Sequence, residues 1–438
     1  MFSYSFFDKS PSFAKSRALY FKVVAGGAFL IILTIMSMLP IYWGALWKPS
    51  VQLHKIHGWI VDFDGDMIGQ AVTQAFTSAT GQNTQISWRV VDTARFPNGP
   101  SDVASSVVDE KCWVAVVVNA NATRNLQQAV SSQDGSYNGT HAITAYAEEA
   151  RNENAYRAFI SPITQGILQQ VSIRFALQFA HQLSSSGSAN VTALASAAPS
   201  VLVQPVSFTM ANIRPFDVPV AQAVDLVGLI YLLILSFIAS MINFAARETV
   251  SGLDRLLTLR SLILLRLISP IVMYFPVSLF YSLVSLAFQV PFTRAFGHAG
   301  FFIYWMLSWM SMSALGLACE AMLTILGQRF IAFFLFPWII SNVSVSSLPI
   351  EALPGIFRYG YAAPFYNVSR AVRTIVFNTK NEVGLNFGVQ FAWIGVSFVT
   401  ITLFQYLARR RLEKQLRNMP DEQNVESGEA SEVKQRNV

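Results

Sequence analysis

The chain has 438 residues, a net charge of +6, 53% hydrophobic residues and only 13% charged residues. Soluble domains carry roughly 25% charged residues, so long uncharged spans are required and a wholly soluble enzyme is excluded. Nucleic-acid binding does not fit either, because the basic residues lie scattered around those spans rather than on one face.

An arm over residues 1–22 carries Lys9, Lys15, Arg17 and Lys22. The first apolar stretch, Val23–Tyr42 within residues 23–43, matches the ~20 residues a helix needs to cross a bilayer. Its apolar core is longer than that of a cleaved signal peptide, which predicts a signal anchor. Tyr42, Trp43 and Trp47 then sit at the outer interface, where amphipathic rings collect.

Residues 44–222 have ordinary soluble composition and read as an α/β domain. Trp59–Phe63 and Ile86–Val91 are predicted strands, and Cys112–Val118, an apolar run rich in valine, is a central one. Met67–Ala79 has helical apolar spacing, with Met67, Ile68, Ala71, Val72, Ala75 and Phe76 on one face. Leu126–Val130 is a predicted helix, and Asn154–Leu183 a long one that Ser184–Ser188 breaks. Asp62, Asp64 and Asp66 fail the calcium-loop pattern, because Gly65 stands fourth where a glycine is needed sixth. Asp64 or Asp66 is instead expected to cap the 67–79 helix. His54 and His57 find no further ligand nearby, so no metal or other cofactor is expected.

Five further apolar stretches crowd residues 223–407: Ala223–Phe244, Leu262–Val290, Phe301–Leu326, Phe330–Leu348 and Leu385–Leu407. Backbone groups in hydrocarbon must be paired internally, so each is read as a helix. The runs lack the period of two that a membrane β-barrel would show. The expected fold is therefore α-helical and polytopic, with six transmembrane helices laid out as one, a gap, then five. Residues 408–438 form a tail that begins basic, with Arg409, Arg410, Arg411 and Lys414, and continues polar enough to be disordered.

The basic segments all fall on one side of a six-span chain. The arm, the Arg247–Arg260 loop, the turn at Arg329 and the tail all carry cations, and basic loops stay cytoplasmic. Both termini are accordingly expected in the cytoplasm, with the triple arginine against anionic lipid. Sequons at Asn121, Asn138, Asn190 and Asn367 fall on the opposite face. Cys112 and Cys319 are expected too far apart to form a disulfide.

Ionisable residues inside spans are costly and mark function by default. Glu320 lies about six residues, or ~9 Å, inside the fourth span, and Arg266 lies at similar depth in the third. They form either a relay or transport-path point or an interhelical ion pair. Arg370 and Arg373 are placed on a short outer amphipathic helix, with the arginines either at phosphate level or at the entry for an amphiphilic or anionic substrate. Pro270, Pro276 and Pro337 predict kinks tolerated by neighbouring helices. There is no Gly-x-x-x-x-Gly-Lys-Ser/Thr loop, no His-Glu-x-x-His and no Gly-x-Ser-x-Gly elbow. No enzymatic activity is expected, and ATP-driven work would need an ATPase on another polypeptide.

Three segments carry resemblances. Ala246–Arg260, with Glu248, Gly252, Asp254 and Arg255, resembles the cytoplasmic coupling segment of type-2 membrane domains of ATP-binding-cassette exporters. Arg358–Phe377, followed by Leu385–Val389 and joined by Val61–Gly65 upstream, resembles the fungal nitrosoguanidine-resistance family. The one-gap-five plan is also similar to that of the bacterial phage-infection-protein family. These resemblances imply an export permease, or a resistance protein acting on amphiphilic toxic compounds, in the plasma membrane or an internal membrane. A membrane organiser that binds lipid or partners through its outer domain is the alternative. Membrane lipids, a small amphiphilic substrate and a second copy of the chain are the partners that would follow.

Overall fold

The α/β region is built on a five-stranded sheet of order β2-β1-β3-β4-β5. The strands are β1 (His57–Asp62), β2 (Ser87–Val90), β3 (Val114–Val118), β4 (Ile143–Ala147) and β5 (Phe208–Asn212). This is a computed structural model, and it describes residues 6–7, 10–186 and 191–417. Lys9, Asn190, the end of the Ser184–Ser188 break and the tail from residue 418 lie outside the described residues. Contacts divide the chain into two units. The first takes the described residues up to Leu229, with Leu286–Tyr304 and Pro337–Asn386. The second takes Ile230–Ser285, Trp305–Phe336 and the described residues from Phe387.

In the first unit β3 is central and wholly buried, as its uninterrupted apolar run requires. It pairs in parallel with β1 (Ile60 opposite Val116) and antiparallel with β4 (Ala145 opposite Val116). Side chains alternate between the two faces of a strand. Ile60, Val114, Val116 and Val118 join one core, and Trp59, Val61, Ala115 and Val117 join another. The first core is covered by the helices α2 (Met67–Ala79), α4 (Ala122–Ser132) and α5 (Ser161–Ser186). The second face is covered by α3 (Pro100–Val108), through Val103 and Val107.

α2 follows its apolar spacing. Ile68, Val72 and Phe76 are buried at intervals of four, and the Phe76 ring meets Trp88 edge-on at 4.5 Å. The turn before it holds the acidic triplet without a metal geometry. Asp62 Oδ1 accepts the backbone N–H groups of Asp64 and Gly65 at 3.0 and 2.9 Å. Asp64 bonds the backbone N–H and hydroxyl of Thr123, tying β1 to the start of α4. Asp66 holds the N-cap position of α2 but makes no side-chain capping bond. Gly69 leaves room for the Asp62 carboxylate, because a Cβ there would lie 2.1 Å from it and force it to shift. The predicted 154–183 helix exists, entered through a short helix Glu153–Ala155 and a π-turn Tyr156–Ile160.

Among the described residues, five helices are long and apolar enough to cross a membrane: Phe13–Leu46, Pro219–Val250, Leu259–Ala287, Ala299–Phe330 and Val383–Gln415. The first of these spans lies within α1 (Pro11–Leu46), and the second contains α6 (Val227–Phe244). α7 is Leu259–Ala287, α8 is Ala299–Phe330 and α11 is Val383–Arg417. The stretch expected as a further span, Phe330–Leu348, forms the shorter α9 (Ala332–Ser344). Its 13 residues rise about 20 Å, less than the ~30 Å hydrocarbon core. Gly327, at φ 67°, interrupts the helical backbone of α8 near its end and allows the turn that carries Arg329.

In the second unit α7 contains Pro270 and Pro276. Trp309 and Trp305 of α8 donate their indole N–H groups to the carbonyls of Ile271 (2.9 Å) and Phe275 (3.3 Å). A neighbouring helix thus supplies side-chain donors along the proline-containing stretch of α7. Gly316 lets α8 approach Tyr274, whose hydroxyl shares a 3.1 Å bond with Ser240.

Candidate functional site

Glu320 and Arg266 do meet, deep in the second unit. Glu320 is 0% exposed, and its Oε1 accepts Arg266 Nε at 2.8 Å. Arg266 also donates to the Glu320 carbonyl at 2.7 Å and to Gln405 Oε1. A second cation, Arg247, reaches the same Oε1 at 3.0 Å. The other edge of its guanidinium lies 2.6 Å from Asp254. One carboxylate oxygen therefore joins two arginines, one on α7 and one in the turn after α6, while Oε2 has no hydrogen-bond partner among the described residues.

Sequence reasoning missed Arg247, treating it as one more basic loop residue. The backbone explains why it turns inward. Residues Ala245–Val250 form a π-turn at the end of α6, and such bulges re-aim side chains and recur at functional sites. Gly252, at φ 63°, then starts a one-turn helix, Leu253–Leu256, that presents Asp254 to Arg247. The segment resembling an exporter coupling segment thus splits in role. Asp254 completes the ion cluster, Gly252 makes the turn, and Glu248 and Arg255 remain exposed.

These groups wall a cavity of about 570 Å³ whose lining includes Arg247, Arg255, Arg266, Arg409, Glu248 and Asp254. Arg409 is held on α11 by bonds to the carbonyls of Asp254 (3.1 Å) and Leu257 (3.2 Å). Its closest carboxylate, Glu413, stands at 3.9 Å. Thr324, one helical turn beyond Glu320, also lines the cavity, with its hydroxyl unbonded among the described residues. Chemically, the cavity offers fixed cations and a free hydroxyl. It presents no nucleophile–base pair, and no group of three or more metal-ligating side chains occurs among the described residues.

The outer-helix expectation is corrected. α10 (Pro364–Phe377) is amphipathic in sequence, but 12 of its 14 residues are buried within the first unit. Arg373 is 5% exposed. It contacts Glu153 at 2.6 Å and Asp225 at 2.5 Å, and donates to the Ala150 carbonyl at 2.9 Å. Arg370 bonds both oxygens of Glu110 at 3.0 Å and Glu382 at 2.7 Å. Burial opposes the charge on Arg370, but Tyr366, Glu110 and Glu382 outweigh it and raise its pKa. These arginines therefore spend their charge on partners inside the protein. Their partners lie up to 260 residues away, and no local pattern announces them.

Nearby, Arg151 stacks on the Trp113 ring at 3.4 Å. Glu148 is buried with neither carboxylate oxygen hydrogen-bonded, and burial pushes its pKa up to about 8. Cys112 and Cys319 are both buried and unpaired, and burial raises the Cys112 thiol to about 12. Cys112 is therefore not a thiolate nucleophile.

Among the sequons, Asn121 and Asn138 are exposed in the first unit. Asn367 is corrected as a glycan acceptor. It is 1% exposed and its amide donates to the carbonyls of Tyr361 and Ala363, both at 2.9 Å. Asn190 lies outside the described residues.

No solved structure matches the chain. A Saccharomyces cerevisiae protein described as an uncharacterized endoplasmic reticulum membrane protein, YJR015W, is 26% identical over 414 residues. That match covers 88% of this chain and 80% of the yeast protein. With several long apolar helices in the structure, it places the chain among multi-pass membrane proteins. The family model described as "Protein of unknown function (DUF3533)" matches residues 27–399, from within the first long helix to within the last, and the chain belongs to that family.

Proposed function

We propose that this chain is a six-span membrane protein of exporter-like plan whose helical bundle handles small amphiphilic molecules. α9 serves as a short fifth crossing, and both termini and the arginine-lined cavity face the cytoplasm. The single observation behind the proposal is the 570 Å³ cavity, walled by an ion cluster that holds Glu320 fully buried among apolar helices. Buried charge of this kind is costly in hydrocarbon and is kept where function needs it. The charge distribution supports the orientation, because Arg247, Arg255, Arg329 and Arg409 all belong to the basic ends of the spans. The name of the yeast relative favours an internal membrane, the endoplasmic reticulum, over the plasma membrane. The resemblance of Arg358–Phe377 to the nitrosoguanidine-resistance family is the support for resistance as the outcome. The exposed Glu248 and Arg255 suit docking of a separate ATPase.

The test is flux. Purified full-length protein in liposomes should move a fluorescent amphiphile or nitrosoguanidine, under a proton gradient or with an added ATPase. Arg255→Gln should slow that movement. Absence of flux under every gradient, in protein shown to be folded, sinks the transport reading. A second reading has its own observation. Arg370 and Arg373, which a substrate entry path would have used, are occupied by Glu110, Glu382, Glu153 and Asp225. That favours a non-transporting organiser whose first unit binds partners. It predicts that an isolated defect in the α/β unit abolishes cellular function while the bundle tolerates Arg255→Gln.

A further inference from the structure

We infer that the arginine-lined cavity binds the phosphate headgroup of an anionic phospholipid, with Arg255 and Arg409 as the principal contacts. The inference rests on reading this cavity as the protein's site, and it names the ligand class. Four arginines line the cavity. Two of them, Arg247 and Arg266, are committed to Glu320, Asp254 and Gln405. Arg255 is exposed and forms no ion pair among the described residues. Arg409 is aimed by two carbonyls and has no carboxylate closer than 3.9 Å. Guanidinium groups present planar pairs of donors that match phosphate oxygens. The unbonded Thr324 hydroxyl adds a neutral donor on the same wall. Arg409, fixed in advance by the two carbonyls, loses little freedom on binding, which favours affinity.

A second feature separates a lipid from a soluble phosphate. An apolar groove of about 630 Å³ runs between α7 and α11, lined by residues such as Ile263, Leu267, Phe398, Leu403 and Tyr406. Leu267 follows Arg266 in the chain and Tyr406 follows Gln405, so the groove and the polar cavity share the same two helices. A headgroup in the cavity leaves an acyl chain beside a ready apolar surface. A soluble phosphate would make no use of that groove. The cavity's own wall adds Phe244, Leu323 and Leu412, which suit the glycerol and first methylenes.

The experiment is binding of a fluorescent phosphatidic acid to the full-length protein in neutral detergent. The competitors are unlabelled phosphatidic acid, phosphatidylcholine, glycerol 3-phosphate and inorganic phosphate. Phosphatidic acid should compete at least tenfold better than phosphatidylcholine, and neither soluble phosphate should compete at the same concentration. Loss of one charge-assisted contact corresponds to about tenfold in affinity. Arg255→Gln and Arg409→Lys should each weaken binding by about that factor. The double variant Arg260→Gln with Arg329→Gln removes two cations outside the cavity and should bind as the parent does. Arg255 is exposed, so its variant reports on binding even if the Arg409 variant fails to fold. Equal competition by phosphatidylcholine, or unchanged binding in Arg255→Gln, overturns the inference. Competition by glycerol 3-phosphate at the strength of the lipid overturns the lipid assignment. Arginine-dependent lipid binding without flux in liposomes overturns the transport proposal and leaves this inference standing.

Discussion

Replacing Glu148 with glutamine removes a buried carboxyl without changing its shape. In the folded chain burial raises this group from 4.5 to about 8, and Arg151, Arg214 and Arg370 only partly oppose the rise. Below pH 4.5 both folded and unfolded chains hold the proton, and the site costs nothing on this account. As the pH rises from 4.5 toward 8 the unfolded chain gives up its proton while the folded one keeps it, so folded-state stability falls. At about 1.4 kcal/mol per pH unit, the full window bounds the loss at about 5 kcal/mol. At pH 7 the bound is about 3 kcal/mol. Glutamine has no proton to lose. Glu148→Gln should therefore match the parent near pH 4.5 and gain on it steadily up to pH 8. The assay is the thermal midpoint of full-length protein in detergent, measured for both chains across that range. Parallel pH curves would refute the reasoning, as would a glutamine variant less stable than the parent at pH 8.

Glu320→Gln should destabilise by about 3–5 kcal/mol, because Arg247 and Arg266 would lose their shared carboxylate. Pairing Arg266→Met with Glu320→Leu should recover much of that loss, since Arg247 keeps Asp254; an unchanged melt in the single variant would contradict the cluster. Gly316→Ala would set a Cβ 2.1 Å from the Tyr274 hydroxyl and should cost ~1–3 kcal/mol of stability by overpacking; undisturbed melting would show that α7 and α8 are farther apart. Asn121→Gln and Asn138→Gln should each remove a glycosidase-sensitive mobility shift, whereas Asn367→Gln should remove none and lower the melting temperature; a glycan at Asn367 would refute its burial.

Much of the architecture was legible because its physics is local. A run of about 20 apolar residues reads as a span wherever it occurs, and an unbroken apolar run such as Val114–Val118, valine at four of its five positions, suits a strand covered on both faces. The helix Met67–Ala79 shows the same directness, its buried residues following their spacing. What sequence reading missed depends on distant partners. β4 (Ile143–Ala147) and β5 (Phe208–Asn212) are rich in small and polar residues and become strands by pairing, β4 with β3 and β5 with β4. α10 carries an apolar face and two arginines, which in isolation reads as a surface helix. Only Glu110, Glu153, Asp225 and Glu382 turn it into a buried one. At the candidate site Glu320 and Arg266 were visible as charges inside spans. Arg247 was not, because a π-turn redirects it and composition carries no trace of that turn.

The two units use one device with opposite signs. In the first, Arg373 stands between the acids Glu153 and Asp225. In the second, Glu320 stands between Arg247 and Arg266. Buried clusters of this kind contribute little net stability, because desolvation offsets most of the Coulombic gain. Their effect is selective. A helix slipped by one residue would strand a charge with no counterion, at a cost of several kcal/mol. The Arg373 cluster thus fixes α10 against the segment carrying Glu153 and against the start of the second apolar span. The Glu320 cluster fixes the register of α7 and α8 and the turn after α6. A bundle that only needed to be stable could have used leucine at these positions. Keeping a charge at Glu320 holds Arg247 and Arg266 in place beside the cavity, whose wall they share with Arg255 and Arg409.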